Sequence, residues 1–168
     1  MSKKPYMFAV SGVKNSGKTT LITRLLPVLG ARGIKTAVIK HDGHEFEADV
    51  PGTDTFAHQQ AGAYGTAVFS DTRFMLVKQQ QITEQELWRF FPEADLILLE
   101  GFKHSSYPKI EVVRQGNSQR CVCEREHLAA VAADFVPEGC IGIPVFSPDN
   151  IQALADVILT HMREEKAR

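Results

Sequence analysis

The sequence predicts a three-layer α/β fold, in which a largely parallel, twisted sheet has helices on both faces and one added hairpin. Short apolar runs typical of strands alternate with helical patterns along the chain, as in proteins built on such sheets. Residues 96–99 are four aliphatic residues between two carboxylates, the pattern of a strand buried on both faces. A glycine-rich loop joins the first predicted strand to the first predicted helix. Ligands of α/β sheets bind beyond the carboxyl ends of the strands, where this loop lies.

Composition narrows the class of protein. The 168 residues match the usual size of one domain, so a single domain over residues 1–168 is expected. A hydrophobic content of 43% with 23% charged residues is typical of a globular protein and excludes disorder. The net charge of -1 argues against a nucleic-acid partner, and no apolar run approaches the ~20 residues of a membrane span. We therefore expect a cytoplasmic protein with no nucleic-acid and no membrane partner.

Hydrophobic periodicity and breaker residues place the individual elements. The first helix begins at Thr19 and should kink or end early at Pro27, because proline lacks the N–H that a helix interior needs. The last helix should carry Pro148 at its first position. Shorter helices are predicted at 54–60 and 83–91. Strands are predicted at residues 6–10, 36–39, 64–69, 73–77, 96–99, 110–113, 128–132 and 143–146, of which the third and fourth form the hairpin.

The cysteines predict no covalent framework. Cys121, Cys123 and Cys140 are an odd number in a chain that is not small, which argues against a disulfide scaffold. Glu124 and His127 follow the first two cysteines and suggest a metal site. Zinc sites more often use wider cysteine spacings, and the alternation of Cys121 and Cys123 fits strand packing or exposure at a sheet edge better.

Residues 12–19 (Gly-Val-Lys-Asn-Ser-Gly-Lys-Thr) fit the pattern G-x-x-x-x-G-K-[ST] in full. Gly12 and Gly17 let the backbone bend so that its N–H groups point at phosphate oxygens, and the start of the next helix adds unpaired donors. Lys18 is expected to reach the β- and γ-phosphates, and the hydroxyl of Thr19 to coordinate Mg²⁺. With a strand before it and a helix after it, the pattern indicates a P-loop nucleotide site.

A P-loop usually works with an acidic residue at the end of a buried strand, which holds Mg²⁺ directly or through water. Glu100 follows the aliphatic run 96–99 and fits this role, since a carboxylate buried there without a partner would be costly. Asp54 is either a second Mg²⁺ carboxylate or the N-cap of the helix that it opens. The predicted metal residues are therefore Thr19, Asp54 and Glu100.

Further polar residues stand near the predicted strand ends. Lys14 is either a second phosphate contact or an exposed loop lysine, and Lys40 should stand beside the phosphate site. His41 and His44 are either metal ligands or part of a polar loop. Asp134 follows a late strand and either accepts hydrogen bonds from guanine N1 and N2 or is a turn residue. These residues leave the choice between guanine and adenine open.

Four blocks of the sequence together resemble the molybdopterin-guanine dinucleotide biosynthesis adaptor (MobB) family. They occur in the family's order between residue 6 and about residue 114, and residues 128–146 are similar less specifically. The blocks are Gly12 to Thr20 with Lys14-Asn15-Ser16, Lys40-His41 with His44, Pro51-Gly52-x-Asp54, and Glu100-Gly101-Phe102-Lys103. The phosphate loop, residues 12–19, occurs in many families. The Lys-His and Glu-Gly-Phe-Lys blocks therefore supply the specificity of the resemblance.

The resemblance implies a homodimeric P-loop NTPase of the class that contains dethiobiotin synthetase and the nickel-chaperone GTPases. It implies binding of GTP with Mg²⁺, weak hydrolysis, and association with the guanylyltransferase that attaches GMP to molybdopterin. It places Lys103 near phosphate or cofactor and favours the Mg²⁺ role of Asp54. The predicted nucleotide- and cofactor-binding residues are Gly12, Lys14, Asn15, Ser16, Gly17, Lys18, Thr19, Thr20, Lys40, Lys103 and Asp134.

Two other functions compete with this adaptor role. A small-molecule kinase or ligase would use the same loop, but the arginines are scattered along the sequence and form no obvious lid. A metal-insertion GTPase would bind its metal through His41, His44, His104 and the cysteines. Neither an arginine finger nor a glutamine that orients water is recognisable, so any GTP hydrolysis should be slow.

Overall fold

The computed structural model describes residues 4–43 and 46–167, and it divides into two compact units. The larger unit comprises the described residues up to His41 and those from Glu84 onward, and the smaller comprises those from Asp42 to Thr83. Among the described residues, no helix is long and apolar enough to cross a membrane. His44, one of the candidate ligands, lies outside the described residues.

A six-stranded parallel sheet lies at the centre of the larger unit. Its strands are β1 (Tyr6–Ser11), β2 (Thr36–Lys40), β5 (Leu96–Glu100), β6 (Lys109–Val112), β7 (Leu128–Ala132) and β8 (Val145–Phe146). Their order in the sheet is β2-β5-β1-β6-β7-β8. The central strand β1 pairs with β5 on one side and β6 on the other, which aligns Val10 with Glu100 and Ser11 with Glu111. The predicted parallel α/β sheet is confirmed.

Helices cover both faces of this sheet. The long helices α1 (Lys18–Ala31) and α4 (Ile151–Ala167) pack on one face, where Phe8, Leu98 and Ile110 point into the larger hydrophobic core. On the other face, Ile97 and Leu99 pack against residues of α3 (Glu84–Leu87) and the 3₁₀ helix Trp88–Phe90 that follows it. A second 3₁₀ turn spans Arg125–His127.

The prediction that the first helix ends early at Pro27 is wrong. The helix continues through Pro27 to Ala31, and it begins at Lys18, one residue before the predicted start. Leu25 and Leu29, on either side of the proline, are fully buried. Their packing in the core offsets the one backbone hydrogen bond that proline removes.

The start of α4 also differs from the prediction. The helix begins at Ile151, so Pro148 lies before it rather than at its first position. Asn150 Oδ1 accepts a hydrogen bond from the N–H of Ala153 at 3.2 Å, the geometry of an N-cap. Pro148 belongs instead to a turn in which Ser147 Oγ accepts from the N–H of Asp149 at 3.2 Å.

The smaller unit consists of helix α2 (Asp54–Gln60) and an antiparallel hairpin of β3 (Gly65–Phe69) and β4 (Phe74–Lys78). The helix has the predicted bounds, and the hairpin confirms the predicted pair of strands. Gln59 Nε2 links the helix to the first strand by donating to Thr66 Oγ1 at 3.1 Å. Several apolar side chains of this hairpin are exposed, namely Tyr64, Val68, Phe69, Phe74 and Leu76.

The cysteines depart from the sequence prediction. Cys121 and Cys140 form a disulfide, and Cys123 is the buried free cysteine. An isolated parallel bridge between Arg120 and Glu138 brings the two segments side by side, which the spacing of cysteines along the chain does not reveal. Residues 121–123 are not a regular strand, so the predicted strand packing of Cys121 and Cys123 is wrong.

Candidate functional site

The phosphate loop connects β1 to α1 and has the backbone shape that its glycines predict. Gly12 has a φ of +135°, and a β-carbon there would lie 2.5 Å from Val112 O and 2.8 Å from Ser16 Oγ. Gly17 has a φ of +99°, and Asn15 adopts the left-handed conformation at +60°, which asparagine tolerates. The close approach at Gly12 leaves no room for any side chain.

Two features of this loop suit an anion. The hydroxyl of Ser16 is buried and has no hydrogen-bond partner among the residues described. Gly17 stands at the N-cap of α1, where no side chain caps the first N–H groups of the helix. Buried polar groups are normally paired, and the first N–H groups of a helix attract negative charge. The residues present therefore fit a bound phosphate group.

Lys18 lies across the loop, where its Nζ donates to Val13 O at 2.7 Å. Burial is the main cause that lowers the pKa of the Lys18 ammonium, and the Glu100 carboxylate opposes this shift. The charges of Lys40 and Lys103 lower the pKa of Lys18 further. The ammonium groups of Lys40 and Lys103 are therefore close enough to repel that of Lys18 at the carboxyl edge of the sheet. A bound polyphosphate would compensate their charges.

Thr19 and Glu100 meet beside the loop. Thr19 Oγ1 donates to Glu100 Oε1 at 2.7 Å, although the two residues are 81 positions apart in the sequence. Glu100 is only 7% exposed at the end of β5. A carboxylate and a hydroxyl oxygen side by side are the hard ligands that Mg²⁺ prefers. These two members of the predicted metal set therefore fit the ion.

Asp54, the third predicted metal residue, belongs to the smaller unit. It is exposed and is the first residue of α2. The N-cap is Thr53, whose Oγ1 accepts from the N–H of Phe56 at 3.3 Å. The N-cap alternative for Asp54 is therefore wrong, and its role in binding Mg²⁺ stays a prediction.

The loop after Glu100 is held by residues that the sequence analysis missed. Gly101 and Phe102 have φ values of +102° and +52°, and the hydroxyl of Ser11 donates to Gly101 O. The fully buried ammonium of Lys109 donates to Phe102 O at 3.4 Å and also to Ser105 O. Burial lowers the pKa of Lys109, and neighbouring acidic groups oppose that shift. A lysine at the start of an otherwise buried strand was the signal available in the sequence.

Arg114 is a second residue whose position the sequence did not indicate. A β-carbon on Gly17 would lie 3.7 Å from Arg114 Nε and 3.8 Å from its Nη2. Three positions later, Asn117 Nδ2 donates to Lys14 O at 2.9 Å. The arginine that follows β6 therefore stands beside the phosphate loop, although the arginines are scattered along the sequence.

The other described residues that the sequence predicted to contact the nucleotide or a metal ion are exposed and lie around the carboxyl edge of the parallel sheet. The ring of His41 packs edge-on against that of Phe102, with centroids 5.7 Å apart. Asp134 lies just beyond β7, two strands away from β1, and its guanine contact stays a prediction. The exposed members of the predicted set are Lys14, Asn15, Thr19, Thr20, Lys40, Lys103 and Asp134.

The ligand set of a metal-insertion GTPase is not assembled in the described part of the chain. Within residues 4–43 and 46–167, Glu124, Glu126 and His127 form the one group of three that could hold a metal ion. It includes neither His41 nor His104. Cys121 and Cys140 are bonded to each other, so neither offers a thiolate.

Three comparisons with known proteins give one consistent result. The family model described as "Molybdopterin guanine dinucleotide synthesis protein B" matches residues 7–134. The "Molybdopterin-guanine dinucleotide biosynthesis adapter protein" of Escherichia coli K12 is 34% identical over 168 residues, covering 95% of this chain and 94% of that protein. Its namesake from Haemophilus influenzae is 31% identical over 162 residues, covering 94% and 90%. The crystal structure of Bacillus subtilis MobB is similar with a TM-score of 0.72 at 28% identity, covering 92% of this chain and 96% of that one.

Proposed function

The chain belongs to the molybdopterin guanine dinucleotide synthesis protein B (MobB) family, and on this premise we propose that it is a GTP-binding adapter of molybdopterin-guanine dinucleotide biosynthesis. The family and its curated relatives support the adapter role. The geometry of the phosphate loop supports the proposed binding of a nucleotide. In this role the protein assists, in the cytoplasm, the guanylyltransferase that attaches GMP to molybdopterin.

The main observation for nucleotide binding is the buried Ser16 hydroxyl, for which the described part of the chain provides no hydrogen-bond partner. It lies in a loop that ends at the start of α1, where no described side chain caps the helix. Backbone N–H groups, the Ser16 hydroxyl and the Lys18 ammonium together match the oxygens of a polyphosphate. Thr19 and Glu100 would hold Mg²⁺, which neutralises the charge on the β- and γ-phosphates when it is bound. Lys40 and Lys103, both exposed at the same edge, suit a second anionic group such as that of molybdopterin.

Hydrolysis by the chain alone should be slow. The loop and the carboxylate bind and orient a nucleotide, but no glutamine is placed by a motif to orient the attacking water. GTPases that lack an arginine finger turn over at roughly 10⁻⁴ to 10⁻³ s⁻¹. The protein's main effect should therefore appear on the partner's reaction, as faster or more efficient GMP transfer.

Calorimetric titration tests nucleotide binding. We expect GTP with Mg²⁺ to bind, ATP to bind more weakly, and Lys18→Ala to abolish detectable binding with an unchanged circular-dichroism spectrum. Adding the protein to the guanylyltransferase should increase GMP transfer to molybdopterin. GTP affinity undiminished in folded Lys18→Ala would contradict the P-loop assignment. Turnover above about one per second without a partner would favour a kinase or ligase instead.

A second variant separates the metal role of Glu100 from a structural one. Glu100→Gln keeps the size of the side chain and removes its charge, so GTP affinity should fall more with Mg²⁺ than with EDTA. Thr19→Val removes the other oxygen and should show the same dependence. Equal losses in Mg²⁺ and EDTA would show that Glu100 does not bind the ion.

A further inference from the structure

The geometry points to Arg114 as a binding residue for the α- and β-phosphates of the nucleotide, a role that rests on the proposed GTP binding. This arginine is half-buried and follows β6, outside every motif of the phosphate loop. Sheet register explains how it reaches the loop. Ser11 on β1 pairs with Glu111 on β6, so Lys14 and Arg114 lie three positions beyond paired residues at the same edge.

The guanidinium lies at the point where the phosphate loop becomes α1. Its Nε and Nη2 are 3.7 Å and 3.8 Å from the place where a β-carbon of Gly17 would stand. P-loop backbone N–H groups cradle the α- and β-phosphates, whereas the loop lysine reaches the β- and γ-phosphates. A group beside Gly17 is therefore positioned for the two inner phosphates.

The charge of Arg114 is not neutralised by an ion pair within the described residues. In the part of the chain that the structure describes, its guanidinium has no carboxylate within 4.0 Å and donates no side-chain hydrogen bond. Asp149, whose pKa Arg114 helps to lower, is already paired with Arg24 at 2.6 Å, and Arg24 is the main cause of that shift. A guanidinium offers five N–H donors in a planar fork that matches phosphate oxygens.

The backbone around Arg114 is fixed to the phosphate loop. Its carbonyl accepts from the N–H groups of Asn117 and Ser118, each at 3.0 Å, which closes a turn. The same Asn117 donates its side-chain N–H to Lys14 O at 2.9 Å. The turn and the loop are thus held together, so the backbone of Arg114 is placed beside the phosphate loop before a nucleotide arrives.

Calorimetry with GTP and GDP on Arg114→Ala, Arg114→Lys and Arg120→Ala tests this role. Arg120 is an exposed arginine six positions further along the same segment, and it serves as the matched control. We expect Arg114→Ala to lose at least tenfold in affinity for GTP and for GDP alike, Arg114→Lys to recover part of it, and Arg120→Ala to match the unaltered protein.

The outcomes distinguish failure of the role of Arg114 from failure of the proposed GTP binding. If the unaltered protein binds GTP and Arg114→Ala binds it equally well, the role of Arg114 is refuted and the proposed function stands. If the loss affects GTP and spares GDP, the placement at the inner phosphates is wrong. If the unaltered protein binds no nucleotide, the proposed function and this inference fall together. Thermal unfolding of every variant excludes loss of folding, and Arg114→Lys keeps the test valid if Arg114→Ala does not fold.

Discussion

At the scale of single residues, the shape of the phosphate loop depends on a close contact at Gly12. Its φ of +135° is strained for any L side chain, and Val112 O would lie 2.5 Å from an added β-carbon. Gly30, inside α1, is the opposite case, because a β-carbon there would meet nothing within 4 Å. One glycine is thus required by tertiary contact, whereas the other only weakens its helix.

Gly12→Ala and Gly30→Ala therefore form a matched pair for urea unfolding. We expect Gly12→Ala to destabilise the protein by about 1–3 kcal/mol and to remove nucleotide binding, because the loop must open to admit the methyl group. Gly30→Ala should stabilise it by about 0.5–1 kcal/mol, since alanine is the better helix former. Equal effects of the two substitutions would argue against a tightly packed loop.

At the scale of elements, the disulfide joins two irregular segments that flank β7. Cys121 and Cys140 are 19 positions apart, and closing a loop of that size stabilises a protein by about 3 kcal/mol in the chain-entropy model. The nearby thiol of Cys123 is buried, and burial, aided by the Glu111 carboxylate, raises its pKa to about 12. This thiol is therefore protonated at neutral pH and poorly reactive.

Reduction should accordingly lower the unfolding temperature by about 6–12 °C for a chain of this size. A thiol reagent at pH 8 should find no reactive cysteine in the folded, oxidised protein and one after unfolding in urea. The double substitution Cys121→Ser with Cys140→Ser is the control, since its unfolding temperature should not respond to reductant. An unfolding temperature that is independent of reductant in the unaltered protein would contradict the predicted contribution of the disulfide.

At the scale of the whole molecule, the homodimer that the family resemblance implies stays a prediction. The hairpin exposes Phe69 and Phe74, which are cross-strand partners and are 84% and 70% exposed. Contiguous apolar surface of this kind can mark a protein–protein interaction site, and we propose that this pair contributes to the dimer interface.

Light scattering should give twice the chain mass of 18.7 kDa for the unaltered protein. Phe69→Ser with Phe74→Ser should shift the mass toward the monomer, because the substitutions remove apolar area from the proposed interface. The control is Phe46→Ser, which changes another exposed phenylalanine outside the hairpin strands. A dimer that persists in the double variant would place the interface elsewhere, and a monomeric unaltered protein would refute the dimer.

Much of the fold and the centre of the site could be predicted from local sequence. The phosphate loop residues are consecutive, and Glu100 follows an apolar run that only a buried strand explains. Helix α2 has its predicted bounds for a similar reason, because its start and stop signals are neighbours in the chain. Two of the wrong predictions, the early end of α1 at Pro27 and the packing of the cysteines, arise where burial and contacts between remote segments outweigh local preference.

The sequence by itself determined the fold class, the glycine-rich loop of residues 12–19 and the carboxylate of Glu100 at the end of a buried strand, because each is encoded by neighbouring residues with a recognisable spacing. The tertiary structure alone decided which remote residues join them. Strand order puts β6 beside β1, which brings Arg114 to Gly17 and lets Asn117 bind Lys14 across 103 positions. Local patterns specify that a strand is buried but not which strands flank it, and the pairing of strands is what assembles the site.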